Sequence, residues 1–232
     1  MSLRHRKKRL KAWRIALAIP RSIYFNLRML PWSQACRLPI LVSHRTRLEE
    51  LSGHVELAVQ QPKTGLVKIG FATCQCSDFN SEHTRLALAG TLRIAGSCAI
   101  GAGCSVEVAE GAVLSLGNDF HLGPRSVVVC HRDINIAADV LTSWNCTLMD
   151  TDQHALVDAT GSRVNEDRPV VIGEGCWLGC HVIVPKGVTL PPHTTVAAGA
   201  RLAGRYSDSC TVLAGNPARV VKEGVRLSNR TR

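Results

Sequence analysis

The sequence predicts an all-β solenoid in which short parallel strands stack coil upon coil around a narrow apolar core. From residue 170 to residue 202 the chain repeats every six residues, with an aliphatic residue at the first position and a small residue at the fifth. A helix repeats near 3.6 residues and a half-buried strand near 2, whereas six residues suit one short strand and one tight turn. Three such hexads complete a triangular coil of about 18 residues. The first positions are therefore expected to point inward: Ile172, Leu178, Val184, Leu190, Val196 and Leu202.

The same phase extends through an earlier stretch, between residues 94 and 148. Consecutive first positions there lie six or eight residues apart, and the longer interval fits two extra residues bulging at a corner, which surface turns tolerate. These first positions are Ile94, Ile100, Val108, Leu116, Leu122, Val128, Ile136, Thr142 and Leu148. The fifth positions of both stretches are expected to fill the corners: Cys98, Cys104, Ala112, Phe120, Ser126, Val140, Cys146, Cys176, Val182, Val188, Thr194 and Ala200.

A polar insertion interrupts the repeat between Leu148 and Ile172. We interpret residues 150–169 as a loop expelled from the solenoid, and long loops within compact domains are more often functional than decorative. The predicted organisation is a basic amphipathic N-terminal segment at 1–50, the solenoid domain with its expelled loop at 51–225, and a basic tail at 226–232.

Composition agrees with one solenoid domain and a charged appendage. The 232 residues are 45% hydrophobic but only 4% aromatic, which suits a core of Val, Leu, Ala and Cys. The formal net charge of +10 lies in the first 50 residues, where Lys and Arg number 12 against two Glu. The remaining chain is neutral and contains no recognised nucleic-acid module, so nucleic-acid binding is disfavoured.

Residues 4–32 mix basic, aromatic and aliphatic side chains and predict an amphipathic helix. Two interpretations fit this segment: it caps the open end of the solenoid, or it makes peripheral contact with an anionic membrane surface. The apolar runs are too short for a transmembrane helix, and no cleavage site follows a continuous apolar core. We therefore expect a cytoplasmic protein, whose membrane contact would be with the inner face.

Ten cysteines are present, and no metal site is expected from them. Neither Cys74 with Cys76 nor Cys176 with Cys180 has the spacing of a structural zinc site. Without a signal peptide the thiols are expected to be reduced. Several fit the corners or the interior of a solenoid, where a thiol acts as a compact hydrophobe: Cys98, Cys104, Cys146, Cys176 and Cys210.

Three motifs in the C-terminal half carry a family resemblance. The stretches 172–179 (IGEGCWLG), 196–199 (VAAG) and 214–218 (AGNPA) resemble the hexapeptide-repeat acyltransferases. The resemblance implies a left-handed parallel β-helix, and spacing alone would not define its hand. Residues 143–154 (SWNCTLMDTDQH) are similar to the branch that O-acetylates sugars and extracellular or capsular polysaccharides. The implied function is an O-acyltransferase, with acetyl-CoA as the co-substrate and a sugar or polysaccharide precursor as the acceptor.

Such a transfer requires a base, because a sugar hydroxyl is a poor nucleophile at neutral pH and histidine titrates near 6.5. Among nine histidines, His154 follows Asp150 and Asp152 at the start of the expelled loop, where the resemblance places the catalytic histidine. The alternative is a solvated loop histidine beside two solvated aspartates. No covalent nucleophile is evident, since the repeat directs Cys146 inward, and direct transfer between the two substrates is expected.

The resemblance also implies where the substrates bind. Acceptor hydroxyls are expected to meet polar groups on a rigid wall, beside a flat aromatic surface: Asn145, Asp150, Asp152 and Trp177. The pantetheine arm would follow the solenoid edge between subunits, and the nucleotide would meet basic groups beyond the last coil. The implied acetyl-CoA contacts are Cys180, Ala198, Ala203, Arg219 and Lys222. Because the family shares its active site between neighbouring subunits, a homotrimer is implied.

Other interpretations of these residues remain open. Trp177 fits a subunit seam as well as a binding groove, and Arg219 and Lys222 also fit solvated charges of a C-terminal turn. The alternative function is a non-catalytic hexapeptide-repeat scaffold or binding protein, although a scaffold does not require the Asp-x-Asp-x-His pattern of residues 150–154. A zinc hydratase on the same fold is disfavoured, because no two histidines are separated by four residues.

Overall fold

The structure, a computed structural model, describes residues 3–74 and 77–228. Two helices, α1 (Leu3–Met29) and α2 (Trp32–Ala35), precede a long succession of short strands. The strands are β1 (Ile40–Val42), β2 (Thr46–Glu50), β3 (His54–Leu57), β4 (Val67–Ala72), β5 (Thr84–Leu88), β6 (Thr91–Ile94), β7 (Cys98–Gly101), β8 (Ser105–Val108), β9 (Val113–Leu116), β10 (Phe120–Leu122), β11 (Val127–Cys130), β12 (Asp133–Ile136), β13 (Leu141–Thr142), β14 (Thr147–Met149), β15 (Val170–Ile172), β16 (Trp177–Leu178), β17 (Ile183–Val184), β18 (Thr189–Leu190), β19 (Thr195–Val196), β20 (Val212–Gly215) and β21 (Ala218–Lys222).

Up to β19, each strand pairs in parallel with the strand three positions away along the chain, so the chain winds through three sheets in turn. Sheet one has the order β1-β4-β7-β10-β13-β16-β19-β20-β21, sheet two β2-β5-β8-β11-β14-β17, and sheet three β3-β6-β9-β12-β15-β18. The exception to the parallel pairing is the last hairpin, β20 with β21, which is antiparallel. The predicted fold class, a left-handed parallel β-helix with a helical N-terminal segment, is confirmed.

The hexads build the core as their phase predicts. Every first-position and fifth-position side chain named above is buried, from Ile94 to Leu202. Burial raises the pKa of the Cys146 and Cys176 thiols to about 11, so both thiols stay protonated at neutral pH. Cys210 differs from the expected corner placement, because it is only half-buried and adopts a left-handed backbone conformation in a terminal turn.

One corner of the coil repeats the same left-handed turn in successive layers. Between sheets one and two, Arg125, Asn145 and His181 have φ values of 58°, 57° and 60°. Their turns stack through backbone hydrogen bonds, the Asn145 N–H donating to Pro124 at 3.0 Å and the His181 N–H to Trp144 at 3.1 Å. Asn145 and His181 are therefore neighbours across one layer of the solenoid.

Helix α1 closes the open end of the solenoid. Its Asn26 side chain donates to the Ile40 carbonyl at 2.7 Å and accepts from the Ile40 N–H at 3.2 Å. The Ser22 hydroxyl accepts from the Val42 N–H at 2.9 Å, and Phe25 is buried beside these contacts. These bonds satisfy the free edge of β1, which would otherwise be open to pairing with another chain.

The sheets begin earlier than the sequence phase indicates. Strands β1 and β2 lie within residues 1–50, the range assigned above to the basic N-terminal segment, so only the helices precede the solenoid. Of the predicted tail at 226–232, residues 229–232 lie outside the described residues, as does Cys76. Within the described residues, no helix is long and apolar enough to cross a membrane.

We predict that Leu148→Ala lowers the free energy of unfolding by about 2–5 kcal/mol, because it leaves a cavity between coils at a fully buried position. The matched substitution Leu156→Ala, in the expelled loop where the side chain is 60% exposed, should change it by less than about 0.5 kcal/mol. Urea denaturation measures both. Equal losses in the two variants would contradict the assignment of the core from the hexad phase.

Candidate active site

The expelled loop leaves the solenoid at the corner between sheets two and three, after β14, and returns at β15. Asp150 forms its first anchor. This residue is fully buried, and its carboxylate accepts backbone N–H groups of the preceding coil, from His131 at 2.8 Å, Arg132 at 2.8 Å and Asp133 at 2.7 Å. Asp150 thus closes the turn directly below the loop with charge-assisted hydrogen bonds.

The acceptor-binding role expected for Asp150 is therefore wrong. Both carboxylate oxygens are directed into the solenoid and are occupied by backbone donors, with the Cys130 thiol as a further donor at 3.6 Å. An incoming hydroxyl has no access to a side chain that is 0% exposed. The sequence could not distinguish the inward carboxylate of Asp150 from the outward carboxylate of Asp152, because both residues lie in the polar stretch that interrupts the hexads after Leu148.

A second anchor, formed by Asp152, Asn165 and Lys186, ties the two ends of the loop to the next coil. The Lys186 ammonium lies 2.5 Å from an Asp152 carboxylate oxygen and donates to the Asn165 carbonyl at 2.7 Å. The Asn165 side-chain amide donates to the same Asp152 oxygen at 2.8 Å. The Lys186 hydrogen bond, followed by that of Asn165, holds the pKa of Asp152 below its usual range. We call these three residues the loop anchor.

Nothing in the sequence alone marks Asn165 and Lys186 as functional residues. The side chains of both are largely buried, with 8% of Asn165 and 9% of the Lys186 side chain exposed. Their only sequence signal is a polar residue within the expelled loop and a lysine in the turn that follows β17. Nothing local to either segment indicates that the two meet.

His154 lies at the outer end of this arrangement. Its N–H donates to the Asp152 carbonyl at 2.7 Å, and its own carbonyl accepts the Asn165 amide at 2.8 Å, so the backbone on each side is fixed. The side chain is exposed, and within residues 3–74 and 77–228 no group hydrogen-bonds to the imidazole. The described chain therefore supplies no carboxylate or carbonyl group that would orient the His154 ring.

The other predicted acceptor residues lie at a different corner. The Asn145 amide is 3.3 Å from the His181 Nε2 atom, and the Trp177 indole N–H donates to the Ser143 hydroxyl at 3.3 Å. This corner joins sheet one to sheet two, whereas the loop of His154 leaves at the far edge of sheet two. One chain therefore brings Asn145 and Trp177 to one edge and His154 with Asp152 to the other.

The residues expected to contact pantetheine lie near the last coils. Cys180 and Ala198 occupy successive turns of the corner between sheets one and two, and the Gly199 N–H donates to the Cys180 carbonyl at 2.8 Å. Ala203 is exposed, and its N–H donates to the Tyr206 hydroxyl at 3.1 Å. Its backbone donor is consequently already occupied.

The two expected nucleotide contacts share the terminal strand β21. Arg219 and Lys222 are both exposed there, and the Arg219 guanidinium donates to the Ala218 carbonyl at 3.0 Å. Neither forms an ion pair with a carboxylate of the described chain. Across the same described ranges, no three His, Cys, Asp or Glu side chains cluster as metal ligands would.

Comparison with known proteins agrees with this architecture. No family model matches the chain. Galactoside O-acetyltransferase of Escherichia coli K12 is 26% identical over 118 residues, covering 51% of this chain and 58% of that protein. The protein named "Putative colanic acid biosynthesis acetyltransferase WcaF", also of E. coli K12, is 33% identical over 127 residues, covering 52% and 64%. The chain thus spans less than two thirds of the curated relatives it matches.

A solved structure supports the fold independently. The crystal structure of the polysialic-acid-specific acetyltransferase NeuO superposes with a TM-score of 0.64 over 83% of each chain, at 16% sequence identity. The hexads, the three stacked sheets and this superposition define the chain as a hexapeptide-repeat parallel β-helix protein. Over about half of its length it is similar in sequence to a protein named as a galactoside O-acetyltransferase and to one named as a putative colanic acid biosynthesis acetyltransferase.

We predict that Lys186→Met loosens the loop, because it removes the ammonium from Asp152 and Asn165 while keeping an unbranched side chain. Proteolytic cleavage within residues 150–169, mapped by mass spectrometry, should become about five- to tenfold faster, a modest effect because Asp152 is partly solvated.

Because folding lowers the pKa of Asp152, the loop anchor should be fully formed at pH values above the usual pKa range of a carboxyl group. It should be lost as the pH falls through the lowered pKa of Asp152.

The control for this experiment is Lys68→Met, at an exposed lysine of β4 far from the loop in the strand order. Its cleavage rate should equal that of the unmodified protein. A Lys186→Met rate no faster than that of Lys68→Met would show that the loop anchor does not hold the loop.

Proposed function

We propose that the protein is an O-acyltransferase that moves an acetyl group from acetyl-CoA directly to a hydroxyl of a sugar or polysaccharide precursor. The observation that carries the proposal is the presentation of His154, whose backbone is fixed by Asp152 and Asn165 while its imidazole is left exposed to a substrate. The names of two relatives, an O-acetyltransferase of galactosides and an acetyltransferase of colanic acid biosynthesis, support acetyl transfer to a sugar.

In this mechanism His154 is the general base. One imidazole nitrogen accepts the proton of the acceptor hydroxyl as the hydroxyl oxygen attacks the thioester carbonyl. The tetrahedral intermediate then expels the CoA thiolate, which takes up the proton from the imidazolium, so His154 returns to its neutral form. Backbone N–H groups of the corner turns would stabilise the oxyanion, an interaction typically worth about 3 kcal/mol.

Direct transfer is favoured over an acyl-enzyme because the nearby thiol is a poor nucleophile. The Cys146 side chain is buried and donates to the Gly179 carbonyl at 3.1 Å, and its pKa is raised to about 11 by burial. A buried, protonated thiol neither reaches the acceptor nor attacks a thioester. The two substrates are therefore proposed to bind together in a ternary complex.

Each of the two substrates is assigned its own set of binding residues. We propose that Asn145, Asp152 and Trp177 line the acceptor site, and that Cys180 and Ala198 contact pantetheine. Ala203 would contribute its carbonyl or methyl group, because its N–H is bonded to the Tyr206 hydroxyl. Arg219 and Lys222 would bind the phosphates of the nucleotide, and their lack of carboxylate partners within the described residues supports this role.

A homotrimer would complete the site. His154 and the corner of Asn145 and Trp177 lie at opposite edges of sheet two, so a single chain does not bring them around one substrate. A neighbouring subunit related by a threefold axis could supply the second edge, since three flat faces pack readily around such an axis. We further propose that the enzyme acts in the cytoplasm, where acetyl-CoA and glycan precursors are both accessible.

We predict that His154→Ala lowers kcat/KM by about 10²- to 10⁴-fold, because proton removal from the acceptor is no longer assisted. The assay is acceptor-dependent CoA release from acetyl-CoA with a panel of sugars and glycan oligomers. The control is His83→Ala, at an exposed histidine outside the proposed site, which should retain full activity. Acetyl-CoA binding by calorimetry should be the same in both variants.

Two results would contradict this assignment. Full activity of His154→Ala would remove the general base from the mechanism, even if the transferase reaction itself persisted. Absence of acetyl-CoA binding by the unmodified protein at millimolar ligand would overturn the enzyme and leave a hexapeptide-repeat scaffold in its place.

We predict that Arg219→Gln raises KM for acetyl-CoA roughly tenfold with little change in kcat, because a charged hydrogen bond to phosphate contributes to binding throughout the reaction. Arg47→Gln, at an exposed arginine of β2, is the control with the same change of charge. Steady-state kinetics at saturating acceptor measures the KM for acetyl-CoA of both variants. A KM that rises equally in both variants would indicate only the loss of general positive charge.

A further inference from the structure

Helix α1 has two opposite faces, and the chain buries only one of them. The inner face, which includes Ser22, Phe25 and Asn26, is fully buried against the first coil. The outer face lies on the opposite side of the helix, half a turn away from the inner face. Its large apolar side chains remain exposed, Trp13 at 57%, Ile23 at 40%, Tyr24 at 57% and Leu27 at 50%, and Trp32 follows at 73%.

This outer face is a continuous feature rather than a set of isolated residues. Positions 13, 16, 20, 23, 24 and 27 fall on one side of an α-helix, and all of them are apolar or aromatic. Each of these positions is exposed. A contiguous apolar surface on a helix that is already packed on its other side indicates a binding surface. We call these six positions, together with Trp32 at the start of α2, the outer face of α1.

Basic residues accompany this surface along the helix. The sequence places basic residues at 4, 6–9 and 11, and Arg14, Arg21 and Arg28 follow along the described part of the helix. Arg14 stacks on the Phe79 ring at 4.0 Å, and Arg21 donates to the carbonyls of His44 and Thr46. No carboxylate of the described residues forms an ion pair with these three arginines, so their charge is not neutralised locally.

An apolar helix face bordered by uncompensated cations is complementary to an anionic lipid surface, which accepts aromatic side chains at the headgroup boundary and attracts the basic groups. A second copy of the chain would instead bring the same positive charges together. Helix α1 also lies at the end of the solenoid, so it can meet a flat surface while the three sheets remain free.

We propose that α1 is a two-sided helix, whose inner face caps the first coil and whose outer face docks the protein on an anionic membrane surface. The two interpretations of residues 4–32 then apply together, one to each face. Docking does not depend on acyl transfer, because α1 and the expelled loop belong to different parts of the chain.

Co-sedimentation of the full-length protein with vesicles tests this proposal. Vesicles of phosphatidylethanolamine with about 30% phosphatidylglycerol should bind the protein, and vesicles of phosphatidylcholine should bind it at least about tenfold more weakly. Raising the ionic strength to about 0.5 M should weaken binding, because the Debye length falls to a few ångströms. Arg28→Gln should reduce the partition coefficient about fivefold.

The matched pair Leu27→Asp and Leu156→Asp separates the outer face from general exposure of leucine. Both side chains are at least half exposed, so both variants are expected to fold, and circular dichroism with thermal melting verifies this. Leu27→Asp should lower the partition coefficient more than tenfold, whereas Leu156→Asp should leave it unchanged. Equal binding by the two variants would overturn the proposal.

Tryptophan quenching gives a second readout without a destabilising substitution. Brominated lipids should quench the emission of the outer face, and Trp32→Phe should remove part of that quenching while leaving vesicle binding nearly intact. No binding to anionic vesicles, together with self-association that Leu27→Asp abolishes in sedimentation velocity, would instead identify the outer face as a contact between copies. No binding and no self-association would also overturn membrane docking.

Discussion

Stacking between equivalent residues of successive coils is the constraint on which the rest of the structure depends. Up to β19, strands pair with the strand three positions away along the chain, so each coil buries its apolar side chains only against its neighbours. A coil therefore tolerates extra residues only where they leave the phase of the next strand unchanged. The expelled loop meets this condition, because it leaves after β14 and returns at β15, and both strands remain paired with the layers on either side.

The loop is held by polar contacts instead of an apolar core. Asp150 is directed inward and binds three backbone N–H groups, whereas Asp152 is directed outward and is held by Lys186 and Asn165. Two carboxylates that are nearly adjacent in sequence thus have different tasks. The result is a loop whose backbone is fixed at His154 while the side chain remains available, as a proton-accepting group for a bound substrate must be.

The ends of a solenoid present unpaired strand edges, and this chain closes them in two ways. Asn26 and Ser22 of α1 satisfy the edge of β1 through side-chain hydrogen bonds. At the other end, β21 turns back antiparallel on β20 and carries Arg219 and Lys222 on its exposed side. Each closing element thereby presents positive charge to solvent, α1 beside an apolar face and β21 beside the last coils.

The sequence by itself determined the coil, because its period and phase are local properties, and every first and fifth position that they assign between Ile94 and Leu202 is buried. It also located the expelled loop, since a break in a regular repeat is visible without coordinates, and the family resemblance made His154 the candidate base within that loop. Only the tertiary structure decided which way each polar side chain of the loop points and which distant group meets it. The burial of Asp150 and the contact between Lys186 and Asp152 could not be predicted from the sequence. These contacts join different coils, and hydrogen-bond partners in different coils leave no periodic trace in the sequence.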